Sequence, residues 1–110
     1  MTDIPATTQF DGRAFINGER VAARDGQTFA CVSPIDGRVL TQVARCGQAD
    51  VDAAVDAARR AFEDRRWAGK SPAARKRVLI EFANQLLIHA DALALTETLD
   101  MGKPIQYSRA

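Results

Sequence analysis

The sequence predicts an α/β fold: two β-hairpins, then an amphipathic helix and a second, much longer helix. Two observations carry this prediction. Between residues 14 and 44, short apolar runs alternate with turns rich in Gly, Asn, Pro and Asp, a pattern typical of paired strands. Between residues 48 and 104, apolar residues recur every three or four positions, the period of a helix with one buried face.

The composition is that of one globular domain, with 110 residues, 46% of them hydrophobic and 26% charged, and a net charge of +1. So small a charge favours neither nucleic acid nor a membrane surface as partner, and no apolar run reaches the roughly 20 residues of a membrane span. The N-terminus lacks the apolar segment of a secretory signal. Two cysteines are too few for a disulfide framework, so we expect a cytoplasmic setting. Residues 1–12 read as a flexible leader, and residues 13–110 as the domain.

The first hairpin is predicted around Asn17-Gly18, because both residues tolerate the positive φ of a tight turn. Its strands are residues 14–16 and 19–21. The second hairpin has strands at 28–32 and 39–44, joined by the breaker-rich turn 33–37. Neither face of the strand 39–44 is purely polar, so we expect it to pack on both sides.

A helix is predicted from Gln48 to Arg65, with Gly47 as its N-cap. Its apolar stripe consists of Val51, Val55, Ala58 and Phe62. The expected ion pairs between successive turns are Asp56 with Arg60 and Arg59 with Glu63. Asp50 lies at the positive end of the helix dipole, where a carboxylate is favourable.

The long helix is predicted from Pro72 to Asp100, with Ser71 as N-cap and Gly102 closing its C-terminus in the left-handed conformation. Its apolar face consists of Leu79, Phe82, Ala83, Leu86, Ala90, Leu93 and Ala94. A helix of this length exceeds the usual globular range.

We therefore expect a break near His89-Ala90-Asp91, with Asp91 as a second N-cap. The helix at 48–65 and the long helix could cover each other, but the strands would then lack a layer on one side. The sequence thus predicts an incomplete domain of poor stability on its own.

Chemistry-bearing residues are sparse. Cys31 and Cys46 have no histidine near them in sequence, and we interpret both as ordinary small residues, not as nucleophiles. His89 is interpreted as a polar residue at the helix break. A basic cluster is interleaved with acids and favours a solvated face over a nucleic-acid contact; it comprises Arg59, Arg60, Arg65, Arg66, Lys70, Arg75, Lys76 and Arg77. No glycine-rich phosphate loop is present.

Asp100 stands out because a carboxylate is unfavourable at the negative end of a helix unless a cation compensates it. Two partners are open: the side chain of Lys103, or a bound hard cation held by oxygen ligands. Spacing alone favours Lys103.

Several segments, taken in order, resemble the N-terminal portion of the aldehyde dehydrogenase superfamily. The matching residues are Phe15-Ile16-Asn17-Gly18-Glu19, Ser33-Pro34-Ile35-Asp36-Gly37, Asp50-Val51-Asp52-Ala53-Ala54-Val55, Trp67, Ser71-Pro72-Ala73 and Glu97-Thr98-Leu99-Asp100 with Gly102-Lys103-Pro104. The resemblance covers residues 15–105. The start and the end of the long helix are most similar to enzymes that act on glutamyl-aminobutyraldehyde in putrescine breakdown, which implies polyamine catabolism.

The resemblance implies the first hairpins and helices of a Rossmann-type cofactor-binding domain. It further implies an NAD- or NADP-dependent oxidation of an aldehyde substrate to a carboxylic acid, by an enzyme four to five times longer and homo-oligomeric. The family's catalytic and cofactor-binding residues have no counterpart among these 110 residues. The isolated chain is therefore expected to be inactive.

One site is implied by the resemblance: relatives often bind a monovalent cation through two backbone carbonyls and an aspartate, which here are Cys31, Val32 and Asp100. An alternative reading from a different class is a small stand-alone interaction module, whose exposed apolar helix face binds a partner protein.

Overall fold

The computed structural model describes residues 9–110, which form four strands and four helices. Their bounds are β1 Ala14–Ile16, β2 Glu19–Val21, β3 Thr28–Val32, β4 Val39–Ala44, α1 Gln48–Glu63, α2 Pro72–Ile88, α3 Ala90–Met101 and α4 Ile105–Ser108. The four strands match the predicted ranges, and α1 ends two residues before the predicted end. The long helix is divided in two.

The strands form two separate antiparallel sheets of two strands each. At the β1–β2 turn, Asn17 and Gly18 have φ angles of 55° and 81°, which confirms the predicted tight turn. In the second sheet Cys31 pairs with Thr41 and Val32 with Val39, so Leu40 forms a bulge on β4.

The segment before β1 lies along β4. The carbonyl of Gly12 accepts a hydrogen bond from the Ala44 N–H at 2.7 Å, and the carbonyl of Phe10 accepts one from the Thr41 hydroxyl at 2.9 Å. A Cβ at position 12 would lie 1.9 Å from the carbonyl oxygen of Gln42, so the close approach requires glycine. Residues 1–8 of the predicted leader lie outside the described residues.

Helix α1 begins at the predicted N-cap Gly47, and Asp50 does more than favour the dipole. Its buried carboxylate accepts hydrogen bonds from the N–H groups of Gly47 at 2.9 Å and Arg24 at 3.0 Å. Asp50 therefore ties the loop after β2 to the start of α1.

Of the two ion pairs expected on α1, one is formed. Arg59 and Glu63 are 4.0 Å apart, whereas Asp56 and Arg60 form no ion pair within residues 9–110. The expectation of an Asp56–Arg60 pair was wrong. Exposed side chains on a helix gain only tenths of a kcal/mol from such pairs, which does not fix their rotamers.

The predicted break in the long helix is confirmed at His89, where the axes of α2 and α3 differ by 69°. The prediction that Asp91 is the second N-cap was wrong, because His89 occupies that position. The His89 N–H still donates to the Gln85 carbonyl at 3.1 Å, and the His89 carbonyl accepts from Leu93 at 3.0 Å. One residue thus ends α2 and begins α3, which leaves Asp91 inside the first turn of α3.

The outer ends of the two helices agree with the sequence. The Ser71 hydroxyl accepts a hydrogen bond from the Ala74 N–H at 3.1 Å, and Gly102 closes α3 with a φ of 77°.

Within residues 9–110, no single helix is both long and apolar enough to cross a membrane. Only α2 and α3 counted together meet these criteria of length and composition, despite the bend between them.

Few apolar side chains in the described part of the chain are buried. Those between residues 9 and 110 that are buried are Ala23, Ala94 and Leu99, and none of them belongs to α2. Of the seven residues predicted for the apolar face, only Ala94 is buried, whereas Leu93 on α3 and those on α2 are exposed, because no other element covers them. The radius of gyration is 17.5 Å, against about 13 Å for a compact chain of this length. The predicted shortage of a covering layer is confirmed.

Replacing Gly12 with alanine is expected to push residues 10–12 away from β4, because the new methyl group collides with the Gln42 carbonyl. Overpacking of this kind costs about 1–3 kcal/mol. Amide hydrogen exchange at Ala44, whose N–H is bonded to the Gly12 carbonyl, should become faster. The control is Gly47→Ser, since position 47 has open space and serine is a good N-cap. Unchanged exchange at Ala44 in Gly12→Ala would contradict this prediction.

Candidate functional site

The turn between β3 and β4 lies against the C-terminal end of α3. A Cβ on Gly102 would be 3.5 Å from the ring of Pro34 and 4.0 Å from the side chain of Ile35. The turn is held by Ser33, which is buried, donates its N–H to the Arg38 carbonyl at 2.8 Å and accepts the Ile35 N–H on its hydroxyl at 3.2 Å. This packing places the end of β3 beside the last turn of α3.

Cys31 and Asp100, two of the three residues predicted to hold a cation, are thereby brought into contact. The Cys31 thiol donates to the Asp100 carboxylate, with Sγ and Oδ1 3.5 Å apart. Burial raises the pKa of the Cys31 thiol, and the hydrogen bond to Asp100 and the negative charge of Asp100 raise it further. A nucleophilic cysteine needs a lowered pKa. The structure therefore favours the interpretation of Cys31 as a non-catalytic residue.

The pairing of Asp100 with Lys103, which spacing favoured, was wrong. The ammonium of Lys103 donates to the carboxylate of Glu97 instead, at 3.2 Å. The left-handed residue Gly102 reverses the chain direction after α3, so Lys103 lies beside an earlier turn of the helix. No lysine or arginine in residues 9–110 forms an ion pair with Asp100.

These surroundings fit a hard cation held by oxygen. Asp100 carries an uncompensated charge at the negative end of α3, where a bound cation is favourable. Cys31 and Val32 are the last two residues of β3, so the two predicted carbonyl ligands are consecutive in the chain. Within residues 9–110, no group of three His, Cys, Asp or Glu side chains comes together as a metal site, so backbone carbonyls would have to complete the ligand set. The three-residue cation site stays a prediction.

A cavity of about 250 Å³ adjoins Cys31 and Asp100. One wall is the segment Phe10–Arg13, where the Arg13 guanidinium and the Asp11 carboxylate are 2.7 Å apart. The hydrogen bonds from Arg13 hold the pKa of Asp11 well below its usual range and raise the pKa of Arg13. Sequence reasoning missed this wall because it placed Asp11 in the leader; the Asp-x-Arg spacing is the signal that could have found it.

The remaining candidates lie elsewhere. His89 is at the helix break, and Cys46 is exposed in the loop before α1. In the basic cluster, Arg66 donates to both carboxylate oxygens of Asp64, from Nε to Oδ1 and from Nη2 to Oδ2, and holds the pKa of that carboxyl below its usual value. Interleaved acids of this kind favour the predicted solvated face.

Comparison with known proteins identifies the family. The sequence model described as "Aldehyde dehydrogenase family" matches residues 21–110. The chain belongs to the aldehyde dehydrogenase family. Among curated relatives, it is 48% identical over 103 residues to the aminoacetaldehyde dehydrogenase of Pseudomonas aeruginosa, covering 94% of this chain and 21% of that enzyme. It is 47% identical over 98 residues to the NADP/NAD-dependent aldehyde dehydrogenase PuuC of Escherichia coli, covering 89% of this chain and 20% of that enzyme.

Solved aldehyde dehydrogenases share this arrangement of hairpins and helices. The γ-glutamyl-γ-aminobutyraldehyde dehydrogenase of Burkholderia cenocepacia matches with a TM-score of 0.92 and 56% identity over 96% of this chain and 21% of its own. A variant of the indole-3-acetaldehyde dehydrogenase of P. syringae, in complex with NAD+ and IAA, matches with a TM-score of 0.90 and 51% identity over 94% and 21%. The chain thus spans about one fifth of its relatives and has the fold of an incomplete N-terminal α/β domain of these enzymes.

The raised pKa of Cys31 predicts slow alkylation, because less of the thiol is ionised at any given pH. In a Cys46→Ser chain, the iodoacetamide reaction of Cys31 should reach half-maximal rate at a higher pH than a free cysteine. Asp100→Asn should move that midpoint to lower pH, since it removes the neighbouring negative charge. Glu97→Gln, which changes a carboxylate bound to Lys103, is the control and should leave it unmoved. Equal midpoints in all three proteins would contradict the Cys31–Asp100 contact.

Proposed function

We propose that this chain is the N-terminal part of an NAD(P)-dependent aldehyde dehydrogenase, which oxidises an aldehyde to a carboxylic acid. The observation that carries the proposal is the match of 96% of the chain to a solved enzyme of this kind, at 56% identity and a TM-score of 0.92. Similarity of sequence and of backbone over the same residues supports a shared role for this part of the enzyme.

Within that enzyme, the chain supplies scaffold and not reacting groups. Oxidation through a thiohemiacetal needs a cysteine that is easily ionised, and nicotinamide binding needs a glycine-rich turn at a helix start. Cys31 has a raised pKa, and the seven glycines of the sequence form no such turn. The hairpins and α3 instead hold the Cys31–Asp100 contact in place.

The proposed substrate is an aldehyde that carries an amino group or a γ-glutamylated amino group, as in polyamine catabolism. The names of the P. aeruginosa and B. cenocepacia relatives support this substrate class. We propose a cytoplasmic homo-oligomer without a nucleic-acid or membrane partner, in keeping with the small net charge of the sequence.

The site at the end of α3 is proposed to hold a monovalent cation. The ligands are the carboxylate of Asp100 and the backbone carbonyls of Cys31 and Val32. The uncompensated charge of Asp100 and its contact with Cys31 support this ligand set. A cation there would neutralise that charge and link β3 to α3, which is a structural role.

A chimeric enzyme tests the proposed function. The matching segment of the P. aeruginosa aminoacetaldehyde dehydrogenase is replaced by the corresponding residues of this chain. Because the two segments are 48% identical over 103 residues, the chimera should form NADH from aminoacetaldehyde with a kcat/KM within about tenfold of the parent, which corresponds to about 1.4 kcal/mol.

The same chimera with Leu99→Asp is the control, since it puts a charge at the most deeply buried large side chain and should abolish folding. The 110-residue chain alone should form no NADH. A folded but inactive chimera, or an active isolated chain, would overturn the proposal.

The cation is tested in the chimera by thermal melting. Replacing Na+ and K+ by choline should lower the melting temperature, because a cation at ten times its Kd stabilises the folded state by about 1.4 kcal/mol. Asp100→Asn should remove this dependence, and Glu97→Gln should retain it. A melting temperature that responds to the cation equally in all three proteins would exclude Asp100 as a ligand.

A further inference from the structure

The second hairpin has strands of unequal length. Strand β3 contains five residues and β4 contains six, and the two strands are held together by hydrogen bonds just beyond each end. At one end the Gln27 carbonyl accepts the Arg45 N–H at 2.8 Å, and at the other the Ser33 N–H donates to the Arg38 carbonyl at 2.8 Å. Five residues of β3 therefore face six of β4, so the register must shift between these two hydrogen bonds.

The shift lies between Cys31 and Val32, the two residues proposed to bind the cation through their carbonyls. Cys31 pairs with Thr41 and Val32 with Val39, which leaves Leu40 as the extra residue of β4. The other pairs of this ladder keep one register. The only irregularity of the β3–β4 ladder thus coincides with the two proposed carbonyl ligands.

A regular strand could not supply both ligands. In an antiparallel ladder the N–H and the carbonyl of one residue point to the same edge of the strand, and those of the next residue point to the opposite edge. The Gln27 carbonyl points towards β4, because it accepts the Arg45 N–H. The same alternation would direct the Cys31 carbonyl towards β4 and the Val32 carbonyl away from it. Two carbonyls that point in opposite directions cannot contact one ion.

A β-bulge increases the local twist of the ladder and is often found where a strand has to turn a group towards a site. We propose that Leu40 is a positioning residue, whose extra backbone unit twists the ladder so that the carbonyls of Cys31 and Val32 face one cation beside Asp100. Asp100 is already in contact with Cys31, at 3.5 Å from Oδ1 to Sγ. The inference rests on the proposed cation site. The positioning role belongs to the number of residues in β4 and not to the leucine side chain.

Thermal melting of the chimeric enzyme over a range of K+ concentrations, with choline as the replacement ion, tests the proposal. Deletion of Leu40 makes the two strands equal in length and removes the bulge. The Kd for K+ should then rise about tenfold or more, as for loss of a group that orients metal ligands. The matched control is Leu40→Ala, which shortens the same half-buried side chain but keeps six residues in β4. It should lower the melting temperature in both salts and leave the Kd for K+ unchanged.

Amide hydrogen exchange of the unaltered chimera is a second measurement, which needs no deletion. A cation that binds both carbonyls would fix the twist of the ladder, so K+ should slow exchange at residues 38–42 several-fold relative to choline. Exchange at Ala44, whose N–H is bonded to the Gly12 carbonyl, should not change. Circular dichroism checks that the deletion variant is folded; should it be unfolded, the exchange measurement decides.

The possible outcomes distinguish this inference from the cation site on which it rests. An unaltered chimera that melts at the same temperature in K+ and in choline overturns the cation site and the inference together. A Kd for K+ that is unchanged by deletion of Leu40, or raised equally by Leu40→Ala, overturns the inference and leaves the cation site in place. Equal exchange at residues 38–42 in both salts also overturns it. A Kd raised by the deletion alone, with slower exchange at residues 38–42 in K+, supports it.

Discussion

The contact between the β3–β4 turn and the C-terminal end of α3 connects the hairpins to the second half of the chain. Leu99 is 1% exposed and Ser33 2%, and Gly102 lies against Pro34. These residues are more than 60 positions apart in sequence, much farther than the residues that pair within each hairpin. Loss of this contact would separate Asp100 from Cys31 and so break the hydrogen bond between their side chains.

Local features could be predicted because the sequence determines them locally. The four strand ranges, the Asn17-Gly18 turn and the Ser71 cap depend on residues a few positions apart, whose steric and hydrogen-bonding preferences act within one turn. The break at His89 followed from helix length alone. The capping residue of α3 could not be predicted in the same way. His89, not Asp91, is the cap, because its N–H makes the last hydrogen bond of α2 and its carbonyl accepts the first hydrogen bond of α3.

Contacts between residues that are distant in sequence could not be predicted. Asp50 was predicted to interact favourably with the dipole of α1. The hydrogen bond that its carboxylate accepts from the Arg24 N–H was not predicted, because the two residues are 26 positions apart. Lys103 was assigned to Asp100 by spacing, yet the reversal at Gly102 carries it to Glu97. The three cation residues came from family resemblance, and the physical argument from Asp100 alone left two partners open. The left-handed Gly102 was predicted from the sequence, but the side chain that Lys103 reaches after this reversal depends on the three-dimensional path of the chain, which spacing alone does not give.

The break at His89 also has a mechanical side. Beyond it α3 is anchored by Ala94 and Leu99, while α2 has no buried residue, so α2 acts as a lever about 25 Å long with a single residue as its pivot. A rotation of ten degrees at that pivot would carry Ser71 about 4 Å sideways, a distance that follows from the rise of 1.5 Å per residue. The surface that packs against α2 thus determines the angle between α2 and α3. Small changes in the backbone conformation at His89 would produce larger displacements at the N-terminal end of α2.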